Sequence, residues 1–290
     1  MKRICCIGHI TLDKIVTPRQ TNYLPGGTAY YFSHAMSRLN GKAAYRLVTA
    51  LAETEYKAVD EICQKGIDVQ VLPSPKTVYF ENVYGENTDH RTQRVLAKAA
   101  PFTLDALTGV EADIYHLGTL LADDFAPDVM EYLSGRGLLS VDAQGFLRAV
   151  CGEQVHAVDW EGKKEALRHV HTLKVNEHEM EVLTGCTNPE SAAKELVAWG
   201  VKEVVVTLGS LGSLIYAEGE FHRIPAYQPR QVVDATGCGD TYMSAYLYMR
   251  ACGESCYRAG CFAAAMSTLK LERFGPFAGT EEQILDIIGR

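Results

Sequence analysis

Strand-like and helix-like segments alternate along most of this chain, and the alternation leaves few folds open. Residues 2–7, 42–51, 68–72, 113–117, 138–142, 171–175 and 203–208 read as strands. Residues 28–39, 56–65, 124–133, 190–199, 239–251 and 255–271 read as helices. The apolar run Val204-Val205-Val206 fits a strand buried on both faces. Parallel strands need crossovers of a dozen or more residues, and the intervening helices supply them. The expected fold is therefore α/β, a doubly wound, mostly parallel sheet flanked by helices. At 290 residues the chain sits near the upper limit of one hydrophobic core, so residues 1–290 are expected to form one domain.

Two stretches break the alternation. One is short and polar, from Asp13 to Leu24. The other runs from Lys76 to Leu96 and alternates Tyr, Phe and Val with Glu and Asn before the turn residues Gly85-Glu86-Asn87. It reads as a β-hairpin. Together they predict a small β-sheet lid, formed discontinuously by about 10–24 and 76–96. Such a sheet has to bury one face on a substrate, on a partner subunit, or on both. A homodimer through the lid is one expectation.

Lys plus Arg number 28 and Asp plus Glu 36, a formal net charge of −8. Nucleic-acid backbones need clustered cations, so no nucleic acid is expected as a partner. No apolar run approaches the ~18 residues of a membrane span. The apolar stretch after Met1 is too short for a signal-peptide core, so a cytoplasmic protein without a membrane partner is expected. Nine scattered cysteines, without a C-x-x-C pair, read as reduced thiols rather than a disulfide framework or a zinc site.

The chemistry concentrates in Asp234-Ala235-Thr236-Gly237-Cys238-Gly239-Asp240. Val232-Val233 leads into it and a helical pattern follows. Glycines at a helix start let the backbone approach a ligand, and the first-turn N–H groups and helix dipole favour an anion. Asp240 stands at that same start. One reading makes it a helix-terminal acid worth a few tenths of a kcal/mol. The other gives it a task beside a bound phosphate: to accept the proton of a hydroxyl attacking a phosphoryl group.

The stretch resembles the D-[TP]-x-G-A-G-D signature of the PfkB, or ribokinase-like, family of small-molecule kinases. Asp234, Thr236, Gly237, Gly239 and Asp240 keep that pattern, while Ala235 and Cys238 depart from it. Cys238 adds bulk and a thiol beside the anion site, which suggests sensitivity to oxidation or alkylation. Other elements follow the family's order. Gly26-Gly27 resembles its N-terminal di-glycine, with Tyr31 near the place of a later Asn. Asp13 resembles the acid that binds acceptor hydroxyls. Asn176-x-x-Glu179 resembles the N-x-x-E that holds magnesium through water. Thr207-Leu208-Gly209-x-x-Gly212 resembles the nucleotide-side turn, and the stretch holding Gly275 the loop beside adenine. The resemblance covers roughly residues 4–277. Ala52-Glu53-Thr54-Glu55 replaces a common Gly-x-Asp turn, so ribose- and fructose-type pockets are not clearly reproduced. Asp142, Gln144 and Arg148 lie where relatives often read D-x-N-x-R. They either face acceptor and polyphosphate, or Asp142 only ends a strand and Arg148 pairs with a surface acid. That segment and Asp89-His90-Arg91 lean towards inositol-type members.

The resemblance implies ATP and Mg²⁺ as cofactors and a small sugar or polyol as acceptor. Asp240 would be the base, and the backbone of Gly237, Cys238 and Gly239 would face the transferring phosphoryl group. Asn176, Thr207, Gly209, Gly212, Thr236 and Gly275 would bind ATP. Glu179 and Asn176 would hold the metal. Asp13, Gly26, Gly27, Tyr79, Glu81, Gln144 and Arg148 would bind the acceptor. On the hairpin, Tyr79 and Glu81 share one face and Asn82 lies on the other; the Tyr79/Glu81 face is expected to point at the acceptor. A nucleoside kinase of the same family and a non-catalytic binding sensor remain alternatives. A dinucleotide-dependent oxidoreductase is disfavoured, since the first strand runs into Gly8-His9-Ile10-Thr11 rather than G-x-G-x-x-G.

Overall fold

The computed structural model describes residues 1–84 and 91–289. The expected hairpin tip and Asp89-His90 lie outside the described residues.

Seven strands of the main sheet run parallel: β1 (Arg3–Gly8), β4 (Ala44–Leu51), β5 (Asp68–Pro73), β8 (Ile114–Gly118), β9 (Leu138–Asp142), β12 (Thr172–Asn176) and β13 (Glu203–Thr207). Two more, β14 (Ser213–Ala217) and β15 (Glu220–Ile224), add antiparallel at one edge. The order is β15-β14-β13-β12-β9-β8-β1-β4-β5. Helices α1 (Thr28–Met36), α2 (Tyr56–Cys63), α8 (Cys238–Ala251), α9 (Cys256–Leu271) and α10 (Glu281–Ile288) bury one core against this sheet, with Phe32, Ile62, Tyr246, Phe262 and Ile284 inside it. Helices α3 (Leu104–Leu107), α4 (Val129–Ser134), α5 (Lys163–Leu167), α6 (Glu177–Thr184) and α7 (Pro189–Ala198) cover the other face through Leu107, Leu133, Leu167, Leu183 and Leu196. Both faces are thus sealed, as a parallel sheet requires, each fully buried aliphatic side chain contributing about 1.5–3 kcal/mol.

Chain order reverses beside β1, whose neighbours are β4 on one side and β8 on the other. Such a switch point opens a crevice beyond the carboxyl ends of the strands. Gly118 ends β8 there, and a Cβ on it would stand 2.4 Å from Thr28 Cγ2. Only glycine lets the start of α1 come that close.

The projecting sheet has six strands: β2 (Thr11–Val16), β3 (Thr21–Gly26), β6 (Val78–Tyr84), β7 (Arg91–Ala97), β10 (Arg148–Cys151) and β11 (Gln154–Ala157). The order is β10-β11-β7-β6-β2-β3. The expected lid segments lie in it, and a third, 148–157, joins them. Helix α4 starts later than the expected 124. Asp124 instead turns inward and its carboxylate accepts the N–H groups of Leu120 and Leu121, at 2.7 and 2.9 Å. Leu120 and Leu121 then pack under Val78, Phe80 and Val95 of the lid. Among the described residues all nine cysteines are free and no helix is long and apolar enough to cross a membrane.

Candidate active site

The 234–240 stretch turns over the crevice. Gly237 caps α8 at φ 73°, and a Cβ there would meet the Tyr31 ring at 2.2 Å. Asp234 anchors the turn. Its Oδ1 accepts Thr236 N–H at 2.9 Å, and its Oδ2 accepts Lys270 Nζ at 3.0 Å and Gly275 N–H at 3.3 Å. Burial alone would raise its pKa, but the Thr236 and Lys270 bonds hold it below the usual carboxylate range. Lys270 itself is buried and lies 5.7 Å from the centre of the Tyr31 ring. Thr236 and Gly275 are therefore brought together through one carboxylate.

Asp240 opens α8 at the crevice floor. Its surroundings push its pKa up to about 6: burial first, then the charge of Asp142, against Lys174, a Thr28 hydrogen bond and Arg148. Lys174 is buried beside it, with Nζ 3.1 Å from Asp142 and 3.8 Å from Glu179. Burial works against its charge, yet Asp142 and Glu179 hold the ammonium above its ordinary pKa. A Cβ on Gly239 would lie 3.3 Å from that Nζ, so the ammonium stands under the first turn of the helix. First-turn N–H groups lack intrahelical acceptors. One expectation needs correction here: the Cys238 N–H donates to Ala235 O at 3.2 Å and is already committed. Burial also pushes the Cys238 thiol up to about 11. That shift favours the protonated form of the thiol.

Asn176 and Glu179 form a capping box at the start of α6. Asn176 Oδ1 accepts Glu179 N–H at 2.9 Å, and Glu179 accepts Asn176 N–H and Nδ2, both at 2.8 Å. Asn176 pairs across the sheet with Thr207, and the Gly209–Gly212 turn follows directly. Gln144 N–H donates to Asp142 at 3.1 Å. The Arg148 charge acts on both Asp240 and Glu179, so Gln144 and Arg148 join the same floor.

Above it, Asp13 lies against Gly26, whose added Cβ would be 2.3 Å from Asp13 Oδ2, and Gly27 caps α1. The Tyr31 phenol is raised by burial and then by Asp234, Asp13 and Asp240, so it sits among all three carboxylates. Tyr79 and Glu81 are not brought to this place. Tyr79 pairs with Leu12 and Glu81 with Lys14, while Asp13 pairs with Phe80. Side chains alternate along a strand, so Tyr79 and Glu81 occupy the face opposite Asp13. There Glu81 is held by Lys14 and Arg94. The expectation for these two residues is corrected: the face that carries Asp13 also carries Phe80 and Asn82.

Residues 1–283 match the pfkB family of carbohydrate kinases. The chain belongs to that family. It is a phosphotransferase with a hydroxyl acceptor on a ribokinase-like fold. A cytidine kinase of Thermococcus kodakarensis is 27% identical over 271 residues, covering 90% of this chain and 94% of its own. A solved pyrophosphate-dependent kinase of the ribokinase family, complexed with a pyrophosphate analog and myo-inositol, superposes with a TM-score of 0.87 at 28% identity, covering 98% of this chain and all of its own. A third structure has a TM-score of 0.86 at 26% identity and covers 99% of this chain and 98% of its own. It is a pyrophosphate-dependent myo-inositol-1 kinase converted into a myo-inositol-3 kinase by replacing an asparagine and a serine with leucines.

Sequence reasoning on this PfkB kinase passed over Lys174. The signal was present: a lysine inside the otherwise apolar strand Leu173-Lys174-Val175 is buried only if it is paired. Thr28 and Lys270 carried no such mark.

Proposed function

We propose that the protein transfers the γ-phosphoryl group of ATP to a hydroxyl of a small, uncharged sugar or polyol, with Asp240 as the base. The observation that carries this reading is the placement of Asp240. A carboxylate with its pKa raised to about 6 stands in the first turn of the anion-binding helix, over a buried lysine. A base near neutrality accepts a hydroxyl proton as the oxygen attacks, and the helix start and Lys174 face the charge on the phosphoryl oxygens. Exposed Leu211, Val232, Val233 and Phe274 border the donor-side loops and suit an apolar base ring.

Magnesium fits the N-x-x-E pair through water. Each Glu179 oxygen accepts one hydrogen bond in the capping box, and a carboxylate oxygen has a second lone pair for a bridging water. The metal, when bound, spreads the negative charge of the donor phosphates.

Pyrophosphate as donor is a second reading, supported by Lys174: a buried ammonium under the anion loop suits a small, dense anion, and two of the similar structures are pyrophosphate-dependent kinases. The likeness to a kinase complexed with myo-inositol supports a polyol acceptor. A homodimer through the lid belongs to the proposal, because the outer lid face exposes Tyr23 and Val83. So does a cytoplasmic location, with nine free cysteines.

The test measures donor consumption with MgATP and with pyrophosphate against sugars, inositols and nucleosides, with Asp240→Asn alongside. Polyol-dependent consumption that vanishes in the variant supports the proposal. Consumption with nucleosides alone overturns the acceptor assignment, and an unimpaired Asp240→Asn overturns the base.

A further inference from the structure

The inner face of the lid carries a pair of amides that the transfer chemistry does not use. Asn82 is 5% exposed and accepts a hydrogen bond from Gln93 Nε2 at 3.0 Å. The two residues sit opposite each other on β6 and β7. They share the face of Phe80 and Asp13, because Asp13 pairs with Phe80 and Ile15 with Asn82. The cations of the neighbouring positions, Lys14 and Arg94, lie on the opposite face and are held by Glu81. The inner face therefore presents a carboxylate, two neutral amides and an aromatic ring.

We infer that the Asn82–Gln93 pair determines which hydroxyl of an uncharged polyol reaches Asp240. This rests on the polyol-kinase reading above and deepens it. Asn82 lies one strand across and two residues along from Asp13. With ~3.3 Å per residue and ~4.8 Å between strands, their Cα atoms are about 8 Å apart. That span lets Asp13 and the amide pair grip different edges of one six-membered ring. Asp13 accepts hydroxyl protons and would repel an acceptor that already carries a phosphate. The amide pair uses one donor and one acceptor internally. Its chemistry leaves N–H donors on Asn82 and an acceptor oxygen on Gln93 for hydroxyls. A ring hydroxyl pattern satisfies both ends in only some orientations, and each orientation puts a different hydroxyl at the base. A site built to bond hydroxyls discriminates far more sharply than an apolar one, since a mismatch leaves buried polar groups unpaired. The 119–124 loop steadies the arrangement, because Leu120 and Leu121 support Phe80 from below.

The experiment uses the full chain, myo-inositol as probe, and whichever of MgATP or pyrophosphate supports turnover. Phosphorylated products are separated by chiral chromatography and assigned by phosphorus NMR. Wild type is compared with Asn82→Leu, Gln93→Leu and the double variant, with melting temperatures as folding controls. The expected result is a change of tenfold or more in the ratio of regioisomers, or in the KM for myo-inositol, while the donor KM stays within twofold. If the double variant does not fold, Gln93→Met, which keeps the length and removes the amide, is read in the same way. The same regioisomer with an acceptor KM within twofold overturns the inference and leaves the kinase reading intact. A wild type that phosphorylates no polyol overturns both.

Discussion

On the floor of the crevice, Lys174 meets Asp142 at 3.1 Å and Glu179 at 3.8 Å, with all three side chains buried in the body of the protein. On the lid, Lys14 and Arg94 close over Glu81 on the face turned away from the crevice. The two clusters hold the same kinds of group and do different work. The floor cluster is shut off from water by the sheet and α8, so each charge depends on its partners. Glu81 is as buried as Glu179, but its partners reach water, Lys14 with 26% and Arg94 with 38% of the side chain exposed against 6% for Lys174. The comparison separates charge that serves a reaction from charge that ties neighbouring interior strands of the lid together in register.

The sharpest way to break this contrast is at Asp240, above the floor cluster. Asp240→Asn is expected to lower turnover by about a thousandfold, within the usual range for losing a general base. In the wild type, kcat/KM should fall as pH drops below about 6, because the base must be ionised. The stability effect has the opposite sense. The folded-state pKa of about 6 exceeds the ordinary 3.8, so between those values the folded protein holds more protons than the unfolded chain. Stability from this group is lost as pH rises through that window, and Asp240→Asn should melt higher than wild type at neutral pH. A flat acid limb in the pH–rate profile would remove Asp240 as the base.

Lys174→Met comes next. It leaves two buried carboxylates without their cation, and breaking such a set by removing one partner typically costs about 3–5 kcal/mol. Urea titration should register that loss, and turnover under folded conditions should fall about a hundredfold. Unchanged stability would mean that water reaches the floor as freely as it reaches the lid. The smallest effect belongs to Glu81→Gln, for which an acceptor KM within about twofold of wild type is expected. A tenfold rise would return the Tyr79/Glu81 face to the site and reverse the assignment of the two lid faces.

The two regions also differ in how far the sequence reveals them. The floor follows from backbone rules. Parallel strands end in glycine turns, helices start after them, and Gly237 and Gly239 mark an anion site whatever packs around it. Asn176-x-x-Glu179 was legible as a pair, although its capping box was not weighed beside its metal role. The seven parallel strands and helices α1, α2, α7, α8 and α9 were legible close to their observed bounds because their apolar runs are long and their periods distinct, whereas the edge hairpin of β14 and β15 and the short helices α3, α5 and α6 were not. The lid resisted for a physical reason. In a strand of alternating Tyr, Glu, Phe and Asn, both faces carry groups that could bind a polyol, and only the pairing register with β2 shows which face looks inward. The third lid segment was missed because the strands at 148–151 and 154–157 have four residues each and little hydrophobic signal.

The lid is assembled from three separate stretches of chain: 11–26, 78–97 and 148–157. No single cassette contains it, so grafting one contiguous loop from a relative would transplant a fragment of a sheet and leave unpaired edges behind. Its ligand preference has to be re-engineered one side chain at a time, on a scaffold that stays whole. The same division means that a ribosome must release residue 157 before the sheet is complete, and β7, finished at residue 97, waits for β11 at 154–157.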